Sequence, residues 1–271
     1  ALLHEPRSLP EDKRRVWVDR PQPLRTFTST LQQRGLVRHR WLVWLAAFAQ
    51  GFDGPVPPAG YRFASRASAW ELAARLRRGG SDFFKLTLRE GLRADQVPDR
   101  LATQKYARAD EFARLIAQPV PLADRPEWLP HGKVEGYLFP DTYFVDYDAE
   151  PKAVIKQMLM MFESRMVNRF RDDLRVSRRS LQEIVTLASL VEREVMEPAE
   201  RPVVAGVYLN RLRRRMRLEC DATVQYALGY WKRRLRLSDL RTPSAYNTYL
   251  RSGLPPGPIC NPGLGCLEGA M

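Results

Sequence analysis

The apolar residues of this chain come in short stretches that change period within a few positions, and this punctuation limits the folds open to it. Val16 to Val18 reads as a strand, Leu24 to Arg34 places Leu24, Phe27 and Leu31 on one helical stripe, and His39 to Gln50 continues as a second helix. Gly51 to Gly60, rich in Gly and Pro, predicts a turn before a strand at Tyr61 to Phe63. A helix over Ala69 to Arg78 is stopped by Gly79 and Gly80, and a strand over Phe83 to Leu88 follows. The next helix, Ala94 to Ala102, contains Pro98, which should kink or shorten it. Strands and helices this short, with no long βαβ period and no Gly-rich phosphate loop, predict a small α+β module and give nucleotide binding no support.

A helix from Ala109 to Ala117 and a Pro-rich stretch from Pro119 to Pro130 then predict a domain boundary. The expected organisation is a polar lead-in over residues 1–13, an α/β module over 14–125 and a mainly helical domain over 126–271. The helical domain opens on Glu135 to Tyr143 (EGYLFPDTY), whose aromatic density suits a surface loop or short strand holding an extended ligand. Pro151 to Asp173 reads as one long helix, with Val154, Met158, Met161, Phe162 and Met166 as a core stripe. Ser180 caps a helix from Leu181 that ends before Pro198, and further helices cover Val203 to Leu212 and Asp221 to Leu228. The tail from Pro255 to Gly263 carries four prolines and must be irregular.

Charge and rare residues narrow the chemistry. With 44 Lys and Arg against 31 Asp and Glu, the net charge is +13, and such a chain seeks polyanions: nucleic acid, an anionic membrane surface or bacterial wall polymers. The basic residues are dispersed, as on solvated helix faces. Cys220, Cys260 and Cys266 have neither zinc-site spacing nor paired histidines, so no metal and no disulfide scaffold is expected. His4, His39 and His131 neighbour no nucleophile. Catalysis, if present, must use carboxylates. There is no signal-peptide pattern, and the longest apolar run, Trp41 to Ala49, is far short of the ~20 residues that span a bilayer. Both ends are abrupt, and the chain is expected to continue in a longer protein.

Two carboxylates stand out in Leu181 to Glu194 (LQEIVTLASLVERE). Glu192 and Glu194 fall on opposite flanks of the stripe Ile184, Leu187, Ala188, Val191 and Val195, so one cleft cannot receive both. The residues behind Glu194 are Val191, Leu190 and Leu187, bulkier than those behind Glu192, and Glu194 is nearer the negative end of the helix. Desolvation and the helix dipole are therefore expected to favour a protonated Glu194, the state a glycosidic leaving oxygen requires.

Five segments in order, EGYLFPDTY (135–143), LASLVERE (187–194), VYLNRL (207–212), DATVQYAL (221–228) and SAYNTYLRSGLPPGPICNPG (244–263), resemble the YceG-like endolytic murein transglycosylases across residues 133–266. The region before them resembles that family's LysM-like wall-binding module loosely. The resemblance implies a lysozyme-like catalytic domain, with Glu194 as catalytic residue and Glu192 in reserve. It further implies that Glu135, Tyr143, Asn210, Asp221, Thr223, Gln225, Tyr246, Asn247 and Tyr249 line or brace a glycan cleft. No cofactor is implied.

The implied reaction cuts peptidoglycan between N-acetylmuramic acid and N-acetylglucosamine, leaving 1,6-anhydro ends, in the role of a terminator of strand growth. Peptidoglycan strands are the expected partner, with peptidoglycan synthases as companions and no nucleic acid. The family is held in the inner membrane by an N-terminal anchor, facing the periplasm. Ala222 stands where the family usually has Pro, and the chain stops before the family's closing strands and helix. The competing readings are a hydrolase pairing Glu194 with Glu219 or Asp221, a catalytically inert wall-binding scaffold, and a nucleic-acid binder motivated only by charge.

Overall fold

The computed structural model describes residues 2–9, 13–121, 124–130 and 133–271; His131 and part of the expected lead-in lie outside them. The chain divides into two compact units, residues 1–86 with 143–149, and 87–142 with 150–271. The Pro-rich stretch, where a boundary is expected from sequence, falls inside the second unit in this division. Small sheets and many helices make the protein α+β.

The first unit contains strands β1 (Arg7–Ser8) and β2 (Arg15–Val18), helices α1 (Leu24–Gln33) and α2 (Arg40–Ala49), strands β3 (Ala59–Arg62) and β4 (Arg66–Ala67), and helix α3 (Ala69–Arg78). Strand β5 (Phe83–Thr87) follows. β1 pairs antiparallel with β4 inside the stretch expected to be lead-in, and Leu9 is buried. β2 pairs with β3, Val16 opposite Tyr61, so alternate side chains of both strands enter one core with Phe27, Leu31, Val43, Leu72 and Leu76. α3 starts on a reciprocal Ser68–Glu71 capping box and ends at Gly79, whose φ of +84° suits glycine.

The second unit carries α4 (Val97–Thr103) and α5 (Ala109–Ile116). Pro98 lies in the first turn of α4, where its missing N–H is harmless, so it starts this helix instead of kinking one. Strand β6 (Thr142–Asp146) pairs with β5, and helices α6 (Pro151–Phe162), α7 (Arg171–Val176), α8 (Leu181–Glu194), α9 (Arg201–Arg213), α10 (Asp221–Leu228) and α11 (Leu264–Ala270) complete the chain. The long helix expected over 151–173 is interrupted by a π-helical turn, Glu163–Asn168. α11, which sequence did not predict, packs on α8 and α9 through Cys266, Leu267 and Ala270. Among the described residues no helix is long and apolar enough to cross a membrane.

Candidate active site

α8 positions both glutamates. Its start is fixed by Ser180, whose Oγ accepts from the Glu183 amide while the Glu183 carboxylate accepts from the Ser180 amide at 2.8 Å. Its middle, Ile184 to Val191, is buried throughout. Ser189 accepts the Ile259 amide at 3.1 Å, which ties the helix to the irregular tail.

The two carboxylates part as their helical positions demand. Glu192, partly buried, accepts the Gly263 amide at 2.9 Å and so holds the tail just before α11. Glu194 is the last residue of α8 and is exposed, with its Oε1 accepting from the Cys220 thiol at 3.2 Å. The apolar residues expected to surround Glu194 do not bury it: Leu187, Leu190 and Val191 are buried in the core, while Glu194 is exposed at the helix end.

Cys220, itself buried, has its thiol pushed up to about 12, first by burial and then by the Glu194 charge. The sulfur thus keeps its proton and can only donate to Glu194, while the Tyr208 hydroxyl donates to that sulfur. The turn bearing Cys220 is locked in turn. Its amide donates to Thr248 Oγ1 at 3.0 Å, its carbonyl accepts from Thr223 Oγ1 at 2.7 Å, and the two threonine oxygens lie 2.9 Å apart.

Of the other sequence-predicted residues, Asp221 accepts the Tyr249 hydroxyl at 2.6 Å on the exposed side of this turn. Asn210 is exposed on α9. Buried Asn247 donates to the carbonyls of Leu240 and Thr242 and accepts the Tyr249 amide, and Gln225 exchanges two hydrogen bonds with the Lys232 backbone. These two, with Thr223, brace loops. Tyr246 sits 4.7 Å from the Tyr226 ring. Tyr143 is buried in the part of β6 that belongs to the first unit and is not brought to this cluster.

Glu135 belongs to a segment that is not a surface loop. Tyr137, Leu138 and Phe139 are buried, and Asn261 Oδ1 accepts the amides of Gly136 and Leu138, both at 3.0 Å. Glu135 accepts the Ala94 amide at 3.0 Å, and burial pushes its carboxyl up to about 7. It faces a cavity of about 520 Å³ with Arg93, Asp95, Lys133 and Tyr246. Arg93 and Tyr226 also border a second cavity of about 210 Å³, with Arg193, Ala222, Gln225 and Trp231. The two cavities share Arg93, Tyr226 and Gly229 in their walls, and together they are lined by Tyr226, Tyr230 and Tyr246 and by charges of both signs. The Arg193 guanidinium lies 4.8 Å over the Trp231 ring, and Arg93 lies 5.6 Å over Tyr226. Sequence reasoning missed Cys220, Tyr208, Arg93, Arg193, Tyr226 and Trp231, although Arg193, Tyr208 and Tyr226 lie within quoted motifs and Cys220 directly precedes one.

Fold and site together define an α+β protein whose helical unit presents an oriented glutamate at a helix end and two aromatic, charge-lined cavities in the same unit. The sequence profile of the YceG-like family matches residues 16–271, and the chain belongs to that family. It is 35% identical over 202 residues to an endolytic murein transglycosylase of Bacillus subtilis, covering 69% of this chain and 56% of that protein. An endolytic murein transglycosylase of Streptococcus pneumoniae is 27% identical over 274 residues, covering 90% of this chain and 49% of its own. The chain thus spans about half the length of the curated relatives it matches. The crystal structure of a yceG-like protein from Listeria monocytogenes superposes with a TM-score of 0.62 at 27% identity, over 95% of this chain and 90% of that one.

Proposed function

We propose that this chain is a lytic transglycosylase that cuts peptidoglycan strands internally between N-acetylmuramic acid and N-acetylglucosamine, with Glu194 as catalytic acid and base. The observation that carries the reading is the setting of Glu194 in a YceG-like chain. Glu194 ends α8 exposed and oriented by a protonated thiol, whereas Glu192 is committed to the Gly263 amide. Glu194 gives its proton to the glycosidic oxygen as the C1–O bond breaks. The same carboxylate then takes the proton of the muramoyl C6 hydroxyl while that oxygen bonds to C1, leaving a 1,6-anhydro end and a protonated glutamate for the next cycle. The substrate supplies the nucleophile, so no second carboxylate takes part, unlike hydrolysing glycosidases. In support, the carboxylates a hydrolase would recruit are engaged elsewhere: Glu219 pairs with Arg211 at 3.4 Å and Asp221 with the Tyr249 hydroxyl.

Cys220 holds one oxygen of Glu194 and leaves the other for the substrate. Asn210, Asp221, Tyr246, Tyr249 and Glu135 are assigned to the glycan surface, Thr223, Gln225 and Asn247 to bracing it, and Tyr143 to packing. The helical unit is read as lysozyme-like and the first unit as a LysM-like wall-binding module. An anchor outside this chain would hold the enzyme at the inner membrane, facing the periplasm, where it would end strands made by peptidoglycan synthases.

The test is digestion of purified glycan strands with mass spectrometry of the products. Anhydro-muramoyl ends are expected from the wild type and from Glu192→Gln, and none from Glu194→Gln. Reducing muramoyl ends would favour the hydrolase, and equal strand binding by wild type and Glu194→Gln without cutting by either would favour the scaffold.

A further inference from the structure

The exposed side of α2 has no role in that reaction. Val43, Ala46 and Ala47 of this helix are buried in the first unit's core, so its outward face should be polar. It carries Trp41, Trp44, Leu45 and Phe48 instead, which are 49%, 48%, 40% and 67% exposed and fall at helical spacing on one stripe. The Trp44 and Phe48 rings stack at 6.1 Å and 14°, which makes a flat apolar plate of the two.

Trp44 and Arg25 line two clefts. One, of about 460 Å³, lies between Trp44, Phe48, Phe52, Pro23 and Arg25, with the single carboxylate Asp53 in its lining; the other, of about 300 Å³, lies between Trp41, Trp44, Arg25 and Arg40 and has no acidic residue among the described residues of its lining. Arg25, Arg38 and Arg40 are exposed around the stripe, and none of them forms an ion pair among the described residues. Arg40 is steadied at the cleft rim by a 2.9 Å bond to Ser29 Oγ.

We propose that this face of α2 docks on an anionic lipid bilayer. The indoles suit the headgroup boundary, Phe48 and Leu45 suit the acyl region beneath it, and the unpaired guanidiniums suit lipid phosphates. A glycan strand is a poorer match, because Leu45 and Phe48 offer its hydroxyls no hydrogen bond. The docking is a property of the first unit and does not depend on the chemistry at Glu194.

Sedimentation of the whole chain with phosphatidylcholine vesicles, with and without phosphatidylglycerol, tests this. Wild type should pellet with the phosphatidylglycerol vesicles and stay in solution with phosphatidylcholine alone. The double variant Trp44→Ala/Phe48→Ala should bind about tenfold or more weakly, and Arg25→Gln/Arg40→Gln roughly tenfold more weakly with a flatter salt dependence. All four side chains are exposed, so circular dichroism melts should not move. The proposal is overturned if wild type ignores the anionic vesicles. It is equally overturned if Trp44→Ala/Phe48→Ala binds them as wild type does, since net charge alone would then explain pelleting. Loss in that variant of glycan-strand binding, or of a concentration-dependent dimer, with vesicle binding unchanged would assign the face to those partners instead.

Discussion

Glu192 and Glu194 differ by two positions and by everything that surrounds them. The sequence argument for Glu194 rests on motif position, the helix end and bulky apolar neighbours, yet those neighbours turn inward and the carboxylate is exposed. What distinguishes it is a single donor, the Cys220 thiol, which burial and the Glu194 charge keep protonated. If Glu194 reacts as proposed, Cys220→Ala should lower kcat by roughly tenfold with KM little changed, the effect of losing one hydrogen bond to that carboxylate. Cys220→Ser should recover most of the loss, because a hydroxyl still donates, and kinetics on defined strands would measure both; equal losses in the two variants would remove Cys220 from the orientation of Glu194.

Glu135 is the carboxyl that burial does perturb. Arg93 and the Ala94 amide favour its charged form and Asp95 opposes it, while Tyr226 and Tyr246 add neutral walls; burial prevails and gives about 7 against the usual 4.5. Because the folded state holds this proton more tightly than the unfolded one, the stability it contributes is complete below about pH 4.5 and is lost as pH rises through 7. The span corresponds to something on the order of 3 kcal/mol. Denaturant midpoints of wild type and Glu135→Gln should therefore be similar near pH 5 and diverge by pH 8, where the variant is the more stable. Parallel pH profiles would mean that Glu135 is not the group responsible.

At the scale of elements, helices with local signals were legible: α3 ends at the Gly79 stop, α8 starts on the Ser180 cap and ends before Pro198, and α10 has the bounds expected of it. The segments misread are those whose partners lie far away in sequence. The aromatic run 135–143 gives the same composition whether it faces a ligand or a core, and only Asn261, more than 120 residues on, decides that it is core. The Gly and Cys content of Leu264 to Ala270 hid α11, which forms because α8 and α9 cover it. Of the candidate site, Glu194, Asp221 and Tyr249 were named from sequence, whereas the contact of Cys220 with Glu194 was not, since asking about zinc and disulfides never asks what a lone thiol can donate to. Asn261 makes three side-chain bonds while 2% exposed: two accepted from Gly136 and Leu138, and one donated to the Leu92 carbonyl at 2.8 Å. Asn261→Ala removes the side-chain acceptor of two buried amides, while the Leu92 carbonyl keeps the residue 261 amide at 2.9 Å, and should cost about 2 kcal/mol or more in urea unfolding. A loss below ~1 kcal/mol would show that water replaces the side chain.

For the molecule as a whole, the question is where it can be cut. The Pro-rich stretch 119–130 offers the composition of a linker, and a fragment 126–271 would carry every motif shared with the transglycosylases. The fold argues against that fragment on two counts. α5 packs on α6, and α4 on α5, so a cut at 126 strips covering helices from the second unit. Residues 143–149 meanwhile belong to the first unit, where Tyr143 and Val145 are buried and Phe144 packs 5.5 Å from Phe83; the fragment would keep β6 without β5. An unpaired strand with its apolar face uncovered is an aggregation template. Expressed side by side, 126–271 should therefore be mostly insoluble and the chain 1–271 soluble. A fragment 87–271 in which 143–149 is replaced by a short Gly/Ser linker should recover solubility and a cooperative melt, because the remaining contacts of the second unit are its own. Cooperative melting of 126–271 alone would instead make the Pro-rich stretch the working boundary.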